Sequence, residues 1–221
     1  MDGQAATKPE KGTDSAPDAG AHNGAEAVRS RGNNRRARVL DAAAYRFRRQ
    51  GYAATTMRDI GGDAGMLAGS LYYHFKSKNA LLLAVHEEGV RRIAGAVDAA
   101  VAEADPSDSW QRLEYALAAH LRSLLDGGDY AQVVIRDLPA DEPELRTKLI
   151  RLRDEYEQRF RHLVEALPLA NEKDAGWIRL LLLGAANWSN TWYRPDGATP
   201  AEIAGHFVRL IRNDKSMGTT T

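Results

Sequence analysis

Side chains suited to hydrogen bonding with nucleic acid are concentrated in residues 69–78. Tyr72, Tyr73 and His74 occupy three consecutive positions, and Lys78 follows one turn later. Consecutive helical positions point about 100° apart, so the three rings cannot all enter a core and some must face outward. Two phenols, an imidazole and an ammonium group are donors that reach phosphate oxygens and groove edges. The alternative is that one tyrosine packs on the preceding helix and His74 only caps a turn.

The preceding residues predict the helices that position these side chains. Thr55 or Thr56 caps a short second helix that runs through Asp63 and is closed by Gly65, and a third helix spans residues 67–75. Two short helices joined by a glycine turn are typical of a helix-turn-helix, whose second helix enters the major groove. Small residues at the start of that helix allow its backbone to approach bases and phosphates, and they are Ala68, Gly69 and Ser70. The apolar residues predicted to hold the two helices together are Ile60, Ala64, Leu71 and Phe75.

The charges of the chain are segregated along the sequence although they sum to zero. Residues 33–80 carry a net charge of +6, residues 81–221 carry −5 and residues 1–32 carry −1. A compact basic block beside an acidic remainder favours a nucleic-acid-binding unit joined to a unit with another task. The absence of cysteine excludes disulfide scaffolds, cysteine-ligated zinc and thiol catalysis.

The fold is predicted to be all-α, with about nine helices in an N-terminal three-helix domain and a C-terminal helical domain. From about Asn33 onward apolar residues recur at helical spacing, and no alternating run is long enough for a strand. The predicted segments are a disordered leader (1–32), the helix-turn-helix domain (33–80), the C-terminal domain (81–213) and a disordered tail (214–221). The alternative for the leader is a basic arm that enters a minor groove through Arg29 and Arg31.

Glycine, proline and capping residues between the apolar stretches determine the predicted helix ends. The first helix ends at Gly51, and the fourth is capped by Ser77 and runs from Lys78 to about Glu103. Beyond it, a helix is predicted from Ser107 or Asp108 to Asp126, and others over about 129–138, 142–166, 172–193 and 200–213. No stretch has the apolar length that a signal peptide or a bilayer span needs. A soluble, cytoplasmic protein without a membrane partner is therefore expected.

Residues 35–82 resemble the N-terminal DNA-binding domain of the TetR family of one-component bacterial transcriptional regulators. The resemblance rests on the Gly51-Tyr52 turn, on Thr55-Thr56-Met57-Arg58-Asp59-Ile60, and especially on Gly69-Ser70-Leu71-Tyr72-Tyr73-His74-Phe75. It implies that the C-terminal domain binds a small-molecule effector and forms a homodimer. It also implies that the protein is a repressor that leaves its double-stranded operator DNA when the effector binds.

The same resemblance assigns roles to single residues at the DNA interface. It implies that Thr56 contacts a phosphate or a base and that Arg58 reads a guanine edge, which would discriminate by about 1–3 kcal/mol. The residues implied to face the major groove are Gly69, Ser70 and Tyr72, with Ala68 at the helix start. Those implied to hold phosphates are Tyr73, His74 and Lys78.

The resemblance further implies that the last two helices pair with their copies in the homodimer. The apolar residues available for this pairing, or for packing within one chain, are Ile178, Leu181, Leu182, Ala185, Trp188, Ile203, Phe207, Leu210 and Ile211. The ending of the eighth helix, Asn187-Trp188-Ser189-Asn190-Thr191-Trp192-Tyr193-Arg194-Pro195-Asp196-Gly197, is similar to that of a TetR subgroup linked to fatty-acid or steroid breakdown. Several members of that subgroup sense acyl-coenzyme A thioesters, which makes such a thioester the expected effector.

An acyl-CoA site needs an apolar tunnel for the acyl chain and cations for the nucleotide phosphates. The tunnel candidates are Trp110, Leu117, Leu121, Tyr130, Tyr156, Phe160 and Trp188. The candidate cations are Arg122, Arg136, Arg153 and Arg179. Core packing is the alternative for each of the aromatic residues.

The main alternative from another class is an enzyme or a helical ligand-binding protein that does not act on DNA. The sequence has no glycine-rich phosphate loop, no metal-spaced histidine cluster and no serine nucleophile elbow. His120 and His162 lie on amphipathic helices and would act together only if they met in a cavity. No cofactor, metal ligand or catalytic residue is predicted.

Overall fold

The computed structural model describes Met1, residues 20–136 and residues 139–213, without the side chains of residues 20–33, Ala68 and Asn213. Within these ranges every regular element is helical, which confirms the all-α prediction. The α-helices are α1 (Gly20–Ala54), α2 (Met57–Asp63), α3 (Ala68–His74), α4 (Lys78–Glu103), α5 (Ser109–Asp126), α6 (Gly128–Val134), α7 (Pro143–Glu165), α8 (Ala175–Trp192) and α9 (Pro200–Asn213). A single 3-10 turn, Glu172–Asp174, precedes α8.

The first helix starts earlier than its apolar spacing predicts. Helix α1 begins at Gly20, so residues 20–32 are helical where the sequence predicts a disordered leader. Extending an existing helix costs far less than starting one, which allows a sequence of low apolar content to continue α1. Residues 2–19 of the predicted leader and the predicted tail over 214–221 lie outside the described residues. By internal packing the chain divides into Met1–Arg36 and Ala37–Thr221, and all contacts described below lie within the second unit.

Most helix ends coincide with the predicted ones because local contacts determine them. The hydroxyl of Ser77 accepts from the amide of Ala80 at 3.1 Å, and α4 has the predicted bounds. Gly51 interrupts α1 with a φ of 78°, in the left-handed region that favours glycine. Helix α6 ends at Val134 rather than near residue 138, and the amide of Arg136 donates a hydrogen bond to the carbonyl of Val133 at 3.3 Å just beyond that end.

The predicted helix over 172–193 is divided in the structure. The side-chain oxygen of Asn171 accepts from the amide of Lys173 at 3.2 Å and starts the 3-10 turn, after which α8 begins at Ala175. A side chain that bonds the backbone two residues on competes with a regular α-helical start. The apolar surface of α8 therefore begins one turn later than predicted.

Two hydrophobic clusters form the interior of the second unit. The N-terminal cluster joins α1, α2, α3 and the start of α4, and it includes Val39, Ala43, Phe47, Ile60, Ala64, Leu71, Phe75, Leu81, Leu82 and Val85. All four residues predicted to hold α2 against α3 are buried in it, which confirms that prediction. The C-terminal cluster is built mainly from α4, α5, α7, α8 and α9, and it includes Ile93, Leu117, Leu124, Tyr156, Phe160, Leu183 and Ile203.

Helix α4 takes part in both clusters. Its first turns, at Leu81 and Val85, pack in the N-terminal cluster, and its middle, at Ile93 and Val97, packs in the C-terminal cluster. Leu149 of α7 also packs in the N-terminal cluster. A displacement of α4 therefore changes the packing of both clusters.

Replacing Gly89 by alanine is expected to lower the free energy of unfolding by about 1–3 kcal/mol. A Cβ at this position would lie 2.7 Å from Cγ2 of Val134 and 3.2 Å from the carbonyl oxygen of Tyr130, so α4 and α6 would have to separate. The matched control is Gly95→Ala on the same helix, whose Cβ meets nothing within 4 Å. It is expected to raise the free energy of unfolding by about 0.5–1 kcal/mol. Urea denaturation measures both, and changes of the same sign would contradict the close α4–α6 contact.

Candidate functional site

The turn between α2 and α3 is closed by backbone and side-chain bonds. Gly65 has a φ of 65°, and the amide of Met66 donates to the carbonyl of Gly61 at 2.8 Å. Nη2 of Arg38 donates to the carbonyl of Ala64 at 2.6 Å, which ties the turn to α1. The predicted arrangement of two short helices about Gly65 is therefore present.

Helix α3 directs its polar face toward solvent. Tyr72 is 52% exposed and Tyr73 is 89% exposed, whereas Leu71 is fully buried. Gly69 and Ser70 are exposed as well. The structure thus brings the predicted groove and phosphate donors of this helix onto one accessible surface.

The remaining α3 residues lie at its two ends. Ala68 is the first residue of the helix, and its side chain is outside the description. His74 is half-buried in the last turn, with its ring packed edge-on against Tyr73 at 5.5 Å between centroids. The DNA contacts of both residues stay predictions.

The start of α2 uses its polar residues in two ways. Thr56 and Asp59 form a capping box, in which the Thr56 hydroxyl accepts from the Asp59 amide at 3.2 Å and donates to its carboxylate at 2.7 Å. The hydroxyl and the backbone amide of Thr56 both donate to the Asp59 carboxylate, which lowers the pKa of Asp59. Arg58 is exposed and available for a base edge, whereas the Thr56 hydroxyl already serves the helix.

Lys78 contacts protein groups rather than facing solvent alone. Its Nζ lies 2.9 Å from the carbonyl oxygen of Tyr52, 3.3 Å from that of Ala53 and 3.0 Å from that of Thr55. The ammonium also lies 4.3 Å from the centroid of the Tyr52 ring. Since an ammonium has three N–H donors, a phosphate contact by this side chain would displace existing bonds. The structure assigns Lys78 to closing the corner between α1 and α2.

A cavity of about 330 Å³ lies where the two hydrophobic clusters meet. Its apolar wall comes from α4, α5, α6, α7 and α8, and it consists of Val90, Ile93, Leu124, Val134, Ile135, Leu149 and Leu183. Polar groups reach the cavity from His86, His120, Tyr156, Glu157 and Asn187. Its size lies within the range of small-molecule sites.

Of the seven predicted tunnel residues, only Tyr156 lines this cavity. Five others are buried in the two clusters away from it, and they are Trp110, Leu117, Leu121, Tyr130 and Phe160. Trp188 is 66% exposed on α8. The cavity faces the His120 and Leu124 side of α5. Leu121 lies about 100° around the helix from His120, whereas Leu117 lies two turns before Leu124 on the same side. Apolar periodicity marks core and lining residues alike, so it could not separate them.

Three arginines line the cavity, and two of them were predicted. Arg136 and Arg153 are the predicted ones, and Arg146 of α7 was missed although it lies two turns before Arg153 on the same face. The other two candidates lie elsewhere: Arg122 is exposed on α5, and Arg179 pairs with Glu157. The cavity therefore combines an apolar wall with a cationic rim.

His120 is held at the centre of a buried polar group. Its Nε2 donates to Oδ1 of Asn187 at 3.2 Å, and its Nδ1 accepts from the hydroxyl of Tyr156 at 2.6 Å. Burial lowers the pKa of His120 to about 4, so the ring is neutral at pH 7. His162, the partner considered for it from the sequence, is exposed, so the two histidines do not meet.

Protein stability is expected to fall between pH 7 and pH 5 by about 2 kcal/mol through His120 alone. The unfolded chain takes up a proton on this ring below about pH 6.5, whereas the folded chain does so only near pH 4. The unfolded state therefore binds more protons across this window, and acid favours unfolding. Urea denaturation of wild type and His120→Gln at both pH values isolates the contribution. The control is His206→Gln, at an exposed histidine, which leaves the buried polar group around His120 in place.

Helix α6 connects the cavity to α1. Arg136 donates from Nη2 to the carbonyl oxygen of Arg48, and Arg48 donates to Asp129 at 2.8 Å. The hydroxyl of Tyr130 donates to Asp41 at 2.8 Å. Because Arg136 also lines the cavity, its guanidinium links the cavity wall to the last turns of α1.

Two family models match the chain. The model for bacterial regulatory proteins of the tetR family matches residues 39–85, and that for the tetracyclin repressor-like C-terminal domain matches residues 106–214. Together they span more than two thirds of the sequence. The chain belongs to the TetR family. It is a regulator with the family's DNA-binding and C-terminal domains, which confirms the resemblance drawn from residues 35–82.

Individual TetR-family proteins extend this similarity over most of the chain. The HTH-type transcriptional repressor KstR2 of Mycobacterium tuberculosis is 29% identical over 184 residues, which are 78% of this chain and 88% of KstR2. KstR2 of Rhodococcus jostii is 28% identical over 198 residues, 81% and 90% of the two chains. The solved structure of AibR in complex with isovaleryl coenzyme A and operator DNA has a TM-score of 0.66 at 22% identity, and it covers 80% of this chain and 97% of AibR.

The TetR-type C-terminal domain of this chain exposes large apolar side chains on its last two helices. Trp177 is 74% exposed, Leu181 63% and Leu210 73%, in addition to Trp188. By contrast, Leu182 and Ile203, which the sequence offered for pairing, are buried in the C-terminal cluster. None of the described helices is long and apolar enough to cross a membrane.

Proposed function

We propose that this TetR-family regulator is a repressor that binds two-fold operator DNA as a homodimer and is released by an acyl-CoA thioester. The observation that carries the proposal is the position of the cavity, which touches α4 and α6 where both helices pack against the DNA-binding helices. A ligand there contacts elements that position α3. The relatives are named as transcriptional repressors, which supports repression rather than activation.

The DNA-binding role rests on the exposed face of α3. Helix α3 is held from inside by Leu71 and Phe75, so Tyr72 and Tyr73 are presented on a fixed support. A recognition helix of this kind reads base edges with its first residues and holds phosphates with the flanking donors. The exposed guanidinium of Arg58 on α2 supplies the group best suited to guanine.

The homodimer is proposed to form through α8 and α9. Large apolar side chains are exposed on both helices, and contiguous exposed apolar patches mark protein interfaces. Two copies related by a two-fold axis would present their α3 helices to two half-sites of one operator. Dimerisation therefore supplies the spacing that operator recognition needs.

The effector class is proposed from the chemistry of the cavity. The apolar wall fits an acyl group, and the guanidinium groups of Arg136, Arg146 and Arg153 fit phosphate oxygens at the rim. A volume of about 330 Å³ accommodates the acyl part and leaves the nucleotide outside, near these arginines. The AibR complex with isovaleryl coenzyme A is an example of this ligand class in a protein of the same fold.

Release is proposed to follow from competition for Arg136. In this structure its guanidinium bonds the carbonyl of Arg48 near the end of α1. A phosphate that draws Arg136 away removes this bond and favours a state in which α1 is less firmly attached to α6. The effector lowers operator affinity only to the extent that it binds this state better.

The test is a gel shift with the protein's own upstream DNA across a range of salt, with and without acyl-CoA esters. We expect salt-sensitive binding, and release by at least one thioester. Arg153→Ala should require about tenfold more thioester for release, whereas Arg151→Ala, an exposed arginine of α7 outside the cavity, should behave as wild type. Binding to DNA without release by any thioester would contradict the effector class, and no salt-sensitive DNA binding would contradict the regulator.

A further inference from the structure

His86 is a buried cavity residue with one ring nitrogen unused. Its side chain, on α4, is 5% exposed and lines the cavity. Nδ1 lies 3.1 Å from the carbonyl oxygen of Leu82, one turn earlier. Nε2 is the one buried side-chain nitrogen or oxygen in the described parts of the chain that has no hydrogen-bond partner.

The bond to Leu82 determines what Nε2 does. A carbonyl oxygen only accepts, so Nδ1 carries the proton and donates it. Burial lowers the pKa of His86, which keeps the ring neutral. In a neutral imidazole the other nitrogen has no proton, so Nε2 is an unprotonated acceptor on a residue that lines the cavity. A buried acceptor without a donor is unfavourable, and in native proteins such a group calls for a specific explanation.

His120, the second histidine that lines the cavity, differs from His86 in its hydrogen bonding. Both nitrogens of His120 are bonded within the protein, to Asn187 and to Tyr156. His86 has no such partner although α5, α6, α7 and α8 all contribute side chains to the same cavity. An unpaired acceptor on a residue that lines a cavity of ligand size, beside a complete polar group, is what a bound ligand would satisfy.

We infer that the effector donates a hydrogen bond from an O–H or N–H group to Nε2 of His86. The inference rests on the proposed placement of the effector in this cavity and narrows its chemistry. A hydrocarbon or a ketone has no donor to offer, whereas a hydroxylated acyl or ring group has one. The pantetheine arm of coenzyme A carries amide N–H groups and is the second source of the same donor.

Two thioesters that differ in one group distinguish these sources. 3-Hydroxybutyryl-CoA has a hydroxyl where acetoacetyl-CoA has a ketone, and calorimetry measures the affinity of each for wild type and His86→Leu. If the hydroxyl is the donor, wild type prefers the hydroxy ester by about tenfold and the variant loses the preference. If a pantetheine amide is the donor, both esters bind wild type equally and both weaken about tenfold in the variant. Unchanged affinity of both esters for the variant would overturn the inference.

A second pair of probes keeps the test independent of coenzyme A. Cyclohexanol and cyclohexanone have nearly the same shape, but only the alcohol donates a hydrogen bond. Cyclohexanol should move the ¹⁵N resonance of His86 Nε2, and cyclohexanone should not. If the wild type binds neither thioester, the proposed effector class is wrong. The comparison of cyclohexanol with cyclohexanone then tests by itself whether Nε2 of His86 accepts a hydrogen bond from a ligand. A protonated Nε2, or equal responses to alcohol and ketone, would overturn the inference.

The melting temperature of His86→Leu distinguishes a role of His86 in ligand recognition from a role in stabilising the fold. Since His86→Leu removes an unpaired buried acceptor, its melting temperature should equal or exceed that of wild type. If His86 only stabilised the fold, its replacement would lower the melting temperature. A lower melting temperature together with unchanged ligand affinity would therefore contradict the inference.

Discussion

Replacing Trp188 by glutamate is expected to convert the homodimer into monomers and to lower operator affinity at least about 100-fold. Trp188 lies on a stripe of α8 with Trp177, Leu181 and Trp192, all of which are exposed in the single chain. Gly184 lies on the same stripe, and a Cβ there would meet nothing within 4 Å, so a second helix has room to approach. A carboxylate buried between two such helices would be left without a partner.

The large effect on DNA binding follows from the geometry of the dimer. A monomer binds one half-site, whereas a dimer binds two with a high effective concentration for the second, which contributes about 10²–10⁴ in affinity. Analytical ultracentrifugation gives the oligomeric state, and a gel shift gives the affinity. Because Trp188 is outside the core, the helical content measured by circular dichroism should not change.

Lys148→Glu is the matched control for Trp188→Glu. It places a new carboxylate on the exposed face of α7, away from the apolar stripe. It should remain a dimer with an operator affinity close to that of wild type. A Trp188→Glu protein that stays dimeric and binds DNA normally would contradict the α8–α9 interface.

Replacing Lys78 by alanine is expected to lower the free energy of unfolding by about 3 kcal/mol, because three carbonyl oxygens lose one charged donor. These carbonyls belong to Tyr52, Ala53 and Thr55, in the turn that follows Gly51. Tyr52 in turn bonds Asn79, and Nδ2 of Asn79 donates to Glu142 at 2.7 Å. The loss of Lys78 therefore loosens the corner that joins α1, α2 and α4.

Lys76→Ala is the control, since Lys76 is exposed two residues earlier. Its effect on the free energy of unfolding should stay within about 0.5 kcal/mol. Urea denaturation separates the two variants, and a gel shift across salt follows DNA binding. If Lys78→Ala kept wild-type stability and only reduced the salt dependence of DNA binding, Lys78 would be the phosphate-binding residue that the family resemblance implies.

The helix-turn-helix could be predicted from the sequence because its determinants are local. Thr56 and Asp59 cap α2 across three residues, Gly65 makes the turn, and Leu71 and Phe75 face inward at helical spacing. Each of these features depends on the conformation of a few neighbouring residues. The order of polar and small residues in α3 then determines which side chains remain outside.

The cavity could not be predicted in the same way, because it is a gap between five helices. Leu117 and Leu124 lie on one helix at apolar positions, yet only Leu124 lines the cavity. Whether an apolar residue fills a core or borders a space depends on the distance to the opposite helix, which no local pattern encodes. The unpaired nitrogen of His86 could not be predicted for the same reason, because the lack of a partner depends on the positions of all its neighbours in the fold.

The helices, their caps, the glycine turn and the class of groups offered to DNA follow from the amino-acid sequence alone, since short-range hydrogen bonds and side-chain periodicity specify them. Three further features follow only from packing. The Lys78 ammonium bonds backbone carbonyls, the apolar stripe of α8 lies on the surface, and Nε2 of His86 has no hydrogen-bond partner beside the cavity that His86 lines. These features depend on packing between residues that are far apart in the chain. The type of a residue and its neighbours in sequence do not determine which distant residues it contacts.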